Sequence, residues 1–115
     1  MKPDYLKLTN GKEVRVEWNM NSMGAFTNDT GIEMTDLAKG KADIFILRKV
    51  AWYMAREGEE IEGRSFDMTE VELGRNISQE GVVEFARIFA EQAKTTAQKK
   101  SPPVKSPMIF FRKRE

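Results

Sequence analysis

The sequence has no cysteine and no histidine, and the two absences exclude different things. Without Cys there are no disulfides and no thiolate metal sites, so a folded core must hold the chain together unaided. Without His the commonest general base and transition-metal ligand is missing, and so is every Ser/His or Cys/His nucleophile pair. There is no Gly-rich phosphate loop and no spaced Asp ladder for calcium. Chemistry run on carboxylates, Lys or Tyr is all that remains, and the expectation is a protein that is not an enzyme, with no cofactor and no metal. There is also no apolar run of about eighteen residues, and Met1 to Asn10 lacks a charged-then-apolar secretory pattern, so a cytoplasmic protein with no membrane contact is expected.

What is present suits one folded body. The 115 residues are 40% hydrophobic and 32% charged, a balance for a globular core under a charged surface. The net charge of +1 hides an asymmetry: residues 1–93 carry 12 basic and 17 acidic side chains, residues 94–115 carry 7 and 1. Three of the four prolines, Pro102, Pro103 and Pro107, fall in that basic end. A domain over 1–97 and a flexible Pro/Lys-rich basic tail over 98–115 follow, with regular helix excluded from the tail by its prolines.

Tyr5 to Thr9 and Glu13 to Trp18 alternate apolar with polar around Asn10-Gly11, which predicts a tight β-hairpin over 5–18 with Leu6, Leu8, Val14, Val16 and Trp18 on one face. An isolated hairpin is barely stable, so it should cover helices. Asn19 or Asn21 can cap a helix over about 20–30 that Thr30-Gly31 ends. Met34 to Ala38 has the pattern of one further turn. Ala42 to Arg56 is apolar around most of its circumference, as a central buried helix is, with Asp43 and Arg56 at the ends that suit the dipole and Gly58 as a stop signal. Glu57 to Gly63 then reads as a flexible, solvated acidic loop, with capture of a basic partner or a divalent cation as the sharper alternative. Thr69 and Glu72 have capping-box spacing for a short helix over about 68–75. Over 79–97, Val82, Phe85, Ala86, Phe89, Ala90 and Ala93 mark one face of a last helix, expected to pack on the central one. The fold class is α+β, mainly helical: an N-terminal hairpin on a bundle of about four helices.

Two places suggest partner binding. Trp52 and Tyr53, with Phe45 and Met54, are first of all core residues of an apolar helix, but a leftover face could form a groove for a partner helix. Ile109-Phe110-Phe111 followed by Arg112-Lys113-Arg114 has the form of a docking motif on a proline tether, or of a segment that folds back on the body. The basic tail, Lys99 and Lys100 included, also has the groups for phosphate contacts, but the acidic body would repel a long duplex.

Leu8-Thr9-Asn10-Gly11-Lys12, then Thr30-Gly31, then Val50-Ala51-Trp52, then Thr69-Glu70-Val71-Glu72-Leu73-Gly74 are in an order that resembles the short tail assembly chaperones of long-tailed bacteriophages and gene transfer agents. The resemblance covers about residues 5–93. Asn28-Asp29 stands where the family usually has Glu before Thr-Gly, and the basic tail is unlike its shortest members. The resemblance implies a non-catalytic helper in the cytoplasm of a bacterial host, encoded by a phage or prophage, that binds the tape-measure protein, recruits tail-tube protein and is absent from the finished particle. It also implies that a ribosomal frameshift could extend the product, at codons such as those of Lys99-Lys100 or Phe110-Phe111. A homo-oligomer is left open. The rival readings are a virion structural tail-completion or connector protein and a small nucleic-acid-associated regulator.

Overall fold

A computed structural model describes residues 2–40 and 43–100, with side chains along the last helix described as far as Lys94. The chain runs β1 (Asp4–Lys7), β2 (Glu13–Val16), α1 (Met20–Thr30), α2 (Met34–Ala38), α3 (Ile44–Ile61), α4 (Glu70–Arg75) and α5 (Gln79–Lys100). It is mainly helical, with an antiparallel N-terminal hairpin packed on helices.

The strands pair with Leu6 opposite Val14 and Lys7 opposite Glu13. The tight turn expected at Asn10-Gly11 is a three-residue loop. Leu8 N–H donates to the Lys12 carbonyl at 2.8 Å and Gly11 N–H to the Leu8 carbonyl at 3.1 Å, so Thr9-Asn10-Gly11 is the loop. Gly11 takes the positive φ of 91° that a three-residue loop asks of its last position. The apolar face is as expected: Leu6, Leu8, Val14, Val16 and Trp18 are all buried.

Both capping motifs form. Asn19 caps α1 reciprocally with Ser22, and Thr69 caps α4 reciprocally with Glu72. Gly31, at φ 73°, ends α1 by donating to the Thr27 carbonyl. Asp43 caps α3 through Ile46 N–H at 2.9 Å.

The central helix corrects two expectations. Gly58 does not stop it, and Glu57 to Ile61 are its last helical turns rather than a flexible loop. The reason is a close approach. A β-carbon on Gly58 would lie 2.1 Å from the Arg15 carbonyl oxygen, so only glycine lets β2 rest on the helix backbone. One turn earlier, Glu17 N–H donates to the Met54 carbonyl at 3.0 Å. Glu59 is only 6% exposed. Its carboxylate accepts Arg15 N–H at 2.9 Å and two bonds from the Arg64 guanidinium, each 2.9 Å. Next to it, Glu62 accepts from Arg15 Nη1 and Tyr5 Oη, each at 2.9 Å. Glu59 and Glu62 of the acidic run thus form the seam between α3 and the hairpin, while Glu57 accepts from Asn19 and Asn21 at the start of α1.

The last helix also differs. It extends to Lys100, past the expected start of the tail, since its first proline comes only at 102. Its inner face is turned towards Phe85, Ile88, Phe89 and Gln92, leaving Ala86 and Ala90 exposed. It packs on β1 and Trp18 rather than along α3: Trp18 and Phe89 meet edge to face at 5.1 Å. Gln92 fixes this register, because Oε1 accepts Trp18 N–H at 2.7 Å while Nε2 donates to the Val16 carbonyl and to Asp4.

Candidate partner-binding site

Because α5 leans on the hairpin, it leaves a gap beside the first half of α3. The walls are α3 (Ile44, Phe45, Leu47, Arg48, Ala51), α4 and the residues after it (Val71, Gly74, Arg75, Ile77) and the start of α5 (Val82, Phe85). The volume is about 300 Å³, roughly twice that of an apolar cavity of about 150 Å³ that accepts a benzene ring. It opens to solvent, since Ile44 is 58% and Phe45 64% exposed at its rim. The first turn of α3 is therefore not buried, although its pattern is apolar nearly all round. The helix is longer than the hairpin and α1 can cover, and the uncovered turn faces the groove.

Arg48 crosses this groove. Its guanidinium lies 5.2 Å above the Phe45 ring, and its Cδ passes 3.1 Å from where a β-carbon on Gly74 would sit. Its Nη2 is 4.0 Å from Glu70, whose other oxygen takes the closer Lys49 Nζ at 2.9 Å. Arg48 Nε is buried without a hydrogen-bond partner among the described residues. Among those residues, Arg48 and Arg75 are the charged side chains lining the groove.

Trp52 and Tyr53 are placed elsewhere. Trp52 Nε1 donates to the Met68 carbonyl at 2.7 Å and its ring meets Phe66, so it pins the segment leading into α4. Tyr53 donates to Asp29 at 2.9 Å, tying α3 to α1. Arg56 lies over both rings at 5.1 Å. Burial and then the Asp29 contact push the Tyr53 hydroxyl up, while the Tyr53 and Lys49 hydrogen bonds hold Asp29 below its ordinary range. The two aromatics brace α3 against α1 and α4 and do not line the groove. Met54 is fully buried. Ile109, Phe110, Phe111, Arg112 and Lys113, the other expected partner-binding residues, lie outside the described residues.

Ile44, Arg48, Val71, Arg75 and Ile77 did not stand out in the sequence. Two signals were available: Arg48 breaks an apolar run where a wholly buried helix has no place for a cation, and Gly74 sits inside a short, well-capped helix, where glycine is costly unless a neighbour needs the space.

Another cleft, of about 270 Å³, lies between β1 and the start of α5, lined by Leu6 and Leu8 together with Lys7, Thr9, Glu80 and Glu84 among others. Among the described residues no cluster of acidic side chains is arranged to hold a metal, and no helix is long and apolar enough to cross a membrane.

The arrangement is that of a small α+β scaffold with an open apolar groove and two cationic rims. No protein-family model matches the chain, and neither does any curated protein or solved structure.

Proposed function

We propose that this protein is a phage or prophage tail assembly chaperone, a non-catalytic cytoplasmic helper that binds the tape-measure protein and helps gather tail-tube subunits on it. The observation that carries the reading is the groove with exposed Ile44 and Phe45 at its mouth. A long coiled-coil client has apolar stripes that must be covered before assembly, and a groove between helices is a way to cover one. The resemblance in the order of the turn, capping and Trp motifs supports the choice of client.

The test is co-expression with the product of a long coiled-coil reading frame just downstream, followed by size-exclusion chromatography. The chaperone reading expects a soluble complex that Phe45→Asp abolishes and that survives removal of residues 101–115. An insoluble client that never co-elutes overturns it, as does finding this chain in purified virions by mass spectrometry.

A further inference from the structure

We propose that the groove selects an amphipathic helical segment of its partner that carries a carboxylate beside its apolar stripe, and that Arg48 and Arg75 read that charge. This rests on taking the groove as the partner-binding face. The floor and walls are apolar, with space for about two ring-sized side chains, which matches anchors one helical turn apart. The two charged groups on the walls are both cations and stand on different helices, Arg48 on α3 and Arg75 on α4.

Arg48 is held ready rather than used up. Its stem lies over Gly74 and its head over Phe45, so little side-chain freedom remains to be lost on binding. Yet among the described residues Nε has no acceptor, and the nearest carboxylate, Glu70, is at the long distance of 4.0 Å and engaged by Lys49. The enclosed Nε is out of a ligand's reach, but the side chain is 31% exposed, and an arriving carboxylate would take the outer N–H groups of the guanidinium with charge-assisted bonds. Charge also decides against the chain's own C-terminal segment as occupant: Ile109-Phe110-Phe111 is followed by Arg112-Lys113-Arg114, of the same sign as the groove.

The experiment uses the full 115-residue chain and two fluorescein-labelled designed peptides read by anisotropy. They share one Leu/Phe stripe at helical spacing and differ only in Glu or Lys at the flanking positions. The Glu peptide should bind about tenfold tighter or better than the Lys peptide, an advantage that shrinks with salt. An Arg48→Gln/Arg75→Gln double variant should bring the two within about twofold of each other, and Phe45→Ser should weaken both, the Glu peptide more because Arg48 loses the ring that holds it. If the double variant loses its helical circular dichroism, the wild-type comparison alone decides. Equal binding of the two peptides by the wild type overturns the inference, as does failure of both to bind. Displacement of the Glu peptide by equimolar dodecanoate overturns it too, because the groove then takes a lipid carboxylate. The chaperone reading fails separately, when the long client does not co-elute although charge-selective peptide binding is present.

Discussion

At residue 58 two rules compete. Alanine is the better helix former by about 1 kcal/mol, which alone makes Gly58→Ala stabilising. The strand carbonyl 2.1 Å from the new β-carbon reverses the sign, because backbone has to move and β2 carries buried Val14 and Val16. A net loss of about 2 kcal/mol or more is expected, read as a lower urea midpoint. Glu59 gives a second expectation. Glu59→Ala strands the partly buried Arg15 N–H and should cost on the order of 2 kcal/mol by the same measurement. Glu59 and Glu62 are held below the ordinary value of 4.5 by Arg64 and by Arg15 respectively, and Asp29 is lowered by Tyr53 and Lys49. Groups with a lowered folded-state pKa bind more protons when unfolded, so their contribution is fully present above the unfolded value and is lost as pH falls through the folded one. Urea midpoints should therefore drop between neutral pH and about pH 3, and less steeply in Glu59→Gln.

At the scale of elements, what was legible and what was not divide along local and non-local causes. The hairpin face, the caps at Asn19 and Thr69, and the stop at Gly31 depend on a few neighbouring residues, and all are where pattern reading puts them. Gly58 and the acidic run were misread because their reason lies about forty residues away in β2. The facing of α5 was misread for the same cause: Ile88 and Gln92 turn inward only because the hairpin, not α3, is the partner. Gln92→Ala should accordingly be costly for a half-buried polar residue, about 2 kcal/mol, since Trp18 N–H and the Val16 carbonyl lose a partner together. Trp52→Phe removes the bond to Met68 but keeps most of the ring contacts. It should cost about 1 kcal/mol and leave client binding unchanged, which calorimetry and co-elution check.

For the whole molecule, stability and binding occupy different places. Phe45 is mostly exposed, so Phe45→Ser should shift the melting temperature little while reducing partner capture sharply. Trp52 is expected to behave in the opposite sense, and the pair of variants separates the brace from the groove. The aromatic pair was conspicuous in the sequence because it is large, and its half-buried rings and hydrogen bonds hold α3 to α1 and to the segment before α4. The groove was not conspicuous, since it exists only where three helices fail to close on one another.

The clamp formed by Gln92 joins residues that are 88 positions apart in the chain, Asp4 being its far contact. During synthesis the hairpin is therefore made before α5 and completed only after it. Leu6, Leu8 and Trp18 have no complete cover until the ribosome has produced α5, so the order of translation and the order of folding run in opposite directions. A nascent chain halted before α5 would have its hairpin resting on α3 but open on the side that Phe89 and Gln92 close, and the fold as a whole is secured only when α5 returns to β1.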